Sequence, residues 1–113
     1  MAITKILVPI DGSTHSLKAF RTALGIAKNN NAKINILTCL EKEDVGAWYI
    51  DKKTNKKIMN DAKKFAKEFL SKLEKPAKDA NIPISLNILE TKSTSNQIIT
   101  FSNSNTINLI VIG

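Results

Sequence analysis

An apolar, β-branched run from Ile3 to Ile10 (ITKILVPI) breaks at Asp11-Gly12-Ser13 and hands over at once to apolar residues at helical spacing. A strand that reads as a near-continuous apolar run is buried on both faces, which requires layers packed above and below its sheet. Behind the break, Leu17, Phe20, Leu24 and Ala27 recur on one helical face through about Lys28. Ser13 is placed to cap that helix. Asn29-Asn30-Asn31 ends it, because asparagine tolerates the left-handed backbone of a helix terminus.

The same alternation continues along the chain. Ala32 to Leu40 (AKINILTCL) is a second strand, and Glu41 to Thr54, holding Gly46, Trp48 and Tyr49, shows no clear period and reads as a loop or lid-like connection. From about Asn55 to Ala80 the pattern is helical, with Ile58, Ala62, Phe65, Phe69 and Leu73 on one face. Pro76 should end or kink that helix just before it. Pro83 to Leu89 is a third strand, Ser95 to Ser104 a more polar helix around Ile98, Ile99 and Phe101, and Leu109 to Ile112 (LIVI) a fourth strand before Gly113. The order β-α-β-α-β-α-β predicts one α/β domain, an open parallel sheet with helices on both faces. Right-handed crossovers leave few topologies for it.

Composition narrows the function classes. At 113 residues the chain fits one domain. No apolar run approaches the roughly 20 residues of a membrane-spanning helix, and the N-terminus has no signal-peptide pattern. The one cysteine, Cys39, excludes an internal disulfide framework, so a cytoplasmic protein is expected. Ten lysines between Lys52 and Lys78, against Asp61, Glu68 and Glu74, give that stretch alone the whole formal excess of +7. Arg21 is the one arginine and aromatic residues are few, whereas base-edge and bidentate phosphate recognition favour arginine. The stretch therefore reads as a solvated helix face, not a nucleic-acid footprint.

Ligands of an open parallel sheet bind beyond the carboxyl ends of its strands. The residues there are Asp11-Gly12-Ser13, Cys39-Leu40, Glu90-Thr91 and Gly113. Asp11 can accept from a ribose hydroxyl or an adenine amino group. Gly12 permits close approach, and the next helix N-terminus favours anions. The plainer alternative is a simple strand-to-helix turn. Cys39 reads as a small buried hydrophobe and His15 as a solvent-facing side chain. No cluster has metal-ligand spacing, and no nucleophile with its base and orienting group is visible.

The strand ending in Pro9-Ile10-Asp11-Gly12-Ser13, with Ser16, Ala19 and Ala23 on the following helix, resembles the start of a universal stress protein (UspA-like) domain. NLIVIG (Asn108 to Gly113) is similar to that family's last strand before its glycine loop. The resemblance spans the chain and is weakest between Glu41 and Thr94. It implies a Rossmann-like fold of the adenine nucleotide alpha hydrolase type, with a fifth strand expected beyond the four present. It also implies adenine nucleotide, ATP or AMP, with magnesium as a companion. By position the contacts would be Pro9, Ile10, Asp11, Gly12, Ser13 and Cys39, while Ile112 and Gly113 would open the phosphate loop, a backbone anion cradle.

The sequence is thus expected to be part of a longer chain. The family's fifth strand would form a homodimer interface, and residues 1–113 alone should expose apolar surface on the fourth strand and bind nucleotide weakly or not at all. The leading expectation is a stress-response nucleotide-binding module with no catalytic residue and at most weak ATP hydrolysis. The alternative is a member that binds no nucleotide and serves dimerisation or partner binding. An ATP pyrophosphatase fits loosely, since Asp11 to Ser16 only partly resembles its loop. A receiver domain fits less, because the third strand ends in Leu89-Glu90-Thr91 without a phospho-acceptor aspartate.

Overall fold

A computed structural model describes residues 2–41 and 52–113. The elements run β1 (Lys5–Pro9), α1 (Thr14–Asn30), β2 (Lys33–Glu41), α2 (Lys52–Asp79), β3 (Ile84–Thr91), α3 (Thr94–Ser104) and β4 (Leu109–Ile110). The four strands form one parallel sheet in the order β3-β2-β1-β4.

The alternation of side chains across the sheet sorts the core into two layers. Ile6 and Val8 of β1 and Ile34 and Ile36 of β2 pack with Ala19, Phe20, Ala23 and Ala27 of α1 and with Leu70, Leu73 and Ala77 of α2. Of the faces expected from the 3.6-residue period, Phe20, Ala27 and Leu73 are in this core, Leu17, Leu24 and Phe69 pack at its margin, and Ile58 and Phe65 are exposed. Leu7 and Leu37 point to the opposite face and are also fully buried. There α3, on the crossover back from β3 to β4, packs against β2. Helices thus cover both faces, as the uninterrupted apolar runs required. α3 covers its side thinly: none of its residues is fully buried and Ile99 is 59% exposed.

Helix ends follow the sequence closely. Ser13 caps α1, its hydroxyl accepting from the Ser16 amide at 3.2 Å, and Asn31 closes the helix at φ 53°. Pro76 does not end the helix. α2 runs through it to Asp79 because Pro76 lies in the last turn and faces solvent, while Leu73 and Ala77 on either side are buried. The missing N–H frees the Lys72 carbonyl, which water satisfies on an exposed face. Asn81, at φ 56°, then ends the helix, and the Ile82 amide donates to the Ala77 carbonyl.

Two strand boundaries also differ from expectation. β3 continues through Glu90 and Thr91, since β2 supplies partners in Leu40 and Glu41. β4 pairs only at Leu109 and Ile110, opposite Ile6 and Leu7, and its last ladder bond is Val111 N–H to the Leu7 carbonyl. Beyond that the ladder stops, because Pro9, opposite Ile112 in this register, has no N–H to donate to β4. Of the expected connection over 41–54, Glu41 belongs to β2 and Lys52 to Thr54 to α2; Gly46, Trp48 and Tyr49 lie outside the described residues.

Candidate functional site

The chain runs from β1 to β2 to β3 in one direction across the sheet, then returns past β1 to place β4 on its other side. The strand order therefore reverses between β1 and β4, and the crevice beyond their carboxyl ends is where open α/β sheets take ligands. Asp11-Gly12-Ser13 follows β1 and Val111-Ile112-Gly113 follows β4, so two chain segments about a hundred residues apart flank one crevice.

Their contact is close. A Cβ built on Gly113 would overlap the carbonyl oxygen of His15 and stand 3.1 Å from the Ser16 amide nitrogen. Glycine is therefore required at 113 by the first turn of α1. Ile112, in contrast, projects away and is 68% exposed, as is Ile110 at 39%. Apolar surface is exposed on β4 and α3, as expected.

Within the first turn, one carboxylate oxygen of Asp11 accepts from the Ser13 amide at 2.9 Å. The hydroxyl and amide of Ser13, with a smaller contribution from Ser16, hold the Asp11 carboxyl below its ordinary value. Asp11 is exposed and ionised, with half its acceptor capacity turned to solvent. Gly12 adopts φ 87°, a conformation glycine takes without strain, and the ring of Phe69 lies 3.4 Å from where a Cβ would be.

Behind the turn, Pro9 ends β1 half-buried, and Ile10 is 2% exposed. The Ile10 amide donates to the Leu37 carbonyl at 2.9 Å, and its carbonyl accepts from the buried Thr38 hydroxyl at 2.8 Å. Thr38 therefore sets the position from which Asp11 leaves the sheet. Sequence reasoning passed over it; the signal was a hydroxyl inside an otherwise apolar strand. Phe69 was read as core, and its contact with Gly12 was not foreseen.

Cys39 reaches the same end of the sheet, but on β2, across β1 from the Gly113 segment. Burial pushes its thiol up, and the charge of Glu41 adds to that. It is a protonated, half-buried side chain, not a thiolate nucleophile. Glu41 caps α3 from β2: its Oε1 accepts from the Thr94 hydroxyl at 2.7 Å and amide at 3.2 Å, which lowers its own pKa. Among the described residues no His, Cys, Asp and Glu side chains cluster as metal ligands, and no helix is long and apolar enough to cross a membrane.

This sheet, reversing beside an Asp-Gly-Ser turn, defines an open parallel α/β fold of Rossmann-like type. The sequence profile of the universal stress protein family matches residues 2–113, and the chain belongs to that family. A Staphylococcus aureus (strain USA300) protein named as a universal stress protein is 31% identical over 77 residues, 68% of this chain and 45% of its own length. The match thus spans less than half of that relative.

Among solved structures, a universal stress family protein from Burkholderia pseudomallei superposes with a TM-score of 0.86 at 17% identity, covering 98% of this chain and 81% of its own. One from Arabidopsis thaliana, with AMP bound, gives 0.72 at 16% identity over 97% and 76%. A universal stress protein in complex with cAMP gives 0.67 at 21% identity over 97% and 71%. At these identities the superpositions establish the shared fold.

Proposed function

We propose that the chain is a stress-response module that binds an adenine nucleotide, ATP or AMP, and does not turn it over efficiently. The observation that carries this reading is the meeting of the Asp11 turn and Gly113 across the reversal point of the sheet. Asp11 offers an open acceptor to a ribose hydroxyl or a base amino group. Backbone amides at Gly113 and at the N-terminus of α1 would be the donors for phosphate. Pro9, Ile10, Gly12 and Ser13 shape the turn, Cys39 borders it on β2, and Ile112 carries Gly113 into place. The AMP and cAMP complexes of structural neighbours support the choice of ligand class.

Calorimetric titration of the full-length protein with ATP and AMP, each with and without Mg²⁺, tests this. Saturable heat is expected; none at millimolar nucleotide under either condition would sink the reading. The second reading, a partner-binding or homodimeric module of the cytoplasm, has its own support in the exposed Ile110 and Ile112 beside the β4 edge. Sedimentation with and without nucleotide separates the two.

A further inference from the structure

α2 is 28 residues long, about 42 Å of helix, and runs back from the carboxyl end of β2 to the start of β3. Phe69 marks where it passes the ligand end of the sheet, because its ring touches Gly12. Residues N-terminal to Phe69 therefore lie toward the carboxyl end of the sheet, on the side of Gly12. Phe65 is one turn further out, its ring edge-on to Phe69 at 5.5 Å and 66°. It is 64% exposed, while Phe69 packs against the core. The pair thus extends outward from Gly12, the residue after Asp11, with its inner ring packed against the core and its outer ring open.

A lone exposed phenylalanine needs no explanation. This one has two further properties. It is continuous, through Phe69 and Gly12, with the turn that holds Asp11. Its edge-to-face packing holds the ring in place while leaving aromatic surface uncovered, which suits a flat heteroaromatic ring.

We propose that Phe65, backed by Phe69, is the stacking platform for the base of a nucleotide held at the Asp11–Gly113 crevice. This rests on the adenine-nucleotide reading and adds the residue that recognises the base. Asp11 and the backbone amides then serve the sugar and phosphate.

The test compares AMP with ribose 5-phosphate, which lacks the base, by equilibrium titration of the wild type, Phe65→Ala and Phe65→Tyr. Phe65→Ala should weaken AMP about tenfold, change ribose 5-phosphate less than twofold, and leave the melting temperature within about 2 °C because the ring is mostly exposed. Phe65→Tyr should restore AMP binding. Equal AMP affinity for wild type and Phe65→Ala would overturn the proposal while leaving the nucleotide reading intact. So would a parallel loss of both ligands. A wild type that binds neither AMP nor ATP would remove both readings together.

Discussion

Gly113 and His15 are in backbone contact: the Cα of Gly113 is so near the His15 carbonyl that a single added methyl would overlap it. The contact joins the end of β4 to the first turn of α1. Gly113→Ala must push the two segments apart, and the β4 side yields more easily because only Leu109 and Ile110 are paired. The expected result is a small loss of stability, about 1 kcal/mol, with a larger loss of nucleotide affinity, about tenfold. Chemical denaturation and titration of the same variant measure both. A variant that binds ATP like the wild type would detach Gly113 from the site.

Gly12 is constrained differently. The 3.4 Å separation from the Phe69 ring is ordinary contact, so space is available for a methyl group. The obstacle is φ at 87°. Gly12→Ala should cost about 1–2 kcal/mol, and Gly12→Asn less, because asparagine visits positive φ more readily. Urea midpoints in the order wild type, Asn, Ala would confirm a conformational origin. Equal midpoints for Asn and Ala would point to the ring contact instead.

Fold class was legible because burial writes itself into composition. A strand covered on both sides has to be largely apolar, as Ile6 to Val8 is, and where β2 buries the polar Asn35 and Thr38 each is hydrogen-bonded. The ends of the strands were less legible. LIVI reads as one strand, yet pairing depends on what its neighbour offers, and on β1 the residue opposite Ile112 is Pro9, which has no N–H. That Pro76 does not end α2 has a related reason: a proline's effect depends on whether the freed carbonyl can meet solvent, which burial decides and local sequence does not. At the site, Asp11, Gly12 and Ser13 announced themselves as a turn. Thr38, Phe65 and Glu41 did not, because each acts on a residue at least 28 positions away or through a ring whose exposure only packing determines.

Asp11 should leave a pH signature. Its folded pKa lies below the ordinary 3.8 because Ser13 donates to the ionised form. The ionised carboxylate therefore contributes stability that is fully present above 3.8 and is lost as pH falls through the lower folded value. Asp11→Asn keeps an acceptor for the Ser13 amide but cannot titrate. Melting temperatures recorded from pH 6 down to the acid limit should converge for the two proteins as pH drops. Parallel curves would show that the carboxylate makes no net contribution in the folded state.

Thr38→Val isolates the tie behind the turn. Valine matches threonine in shape and β-branching, so β2 and its register with β1 and β3 are preserved, but the Ile10 carbonyl loses the hydroxyl that donates to it at 2.8 Å. The site is buried, with Thr38 3% exposed and Ile10 2%, so water does not replace the bond without local opening. The expected cost is about 1–3 kcal/mol, read from denaturant midpoints at unchanged m-value. If Thr38 also positions Asp11, nucleotide affinity falls along with stability, and amide exchange at Gly12 and Ser13 quickens relative to that of β2. A variant that loses stability while keeping both exchange and affinity would confine Thr38 to the core.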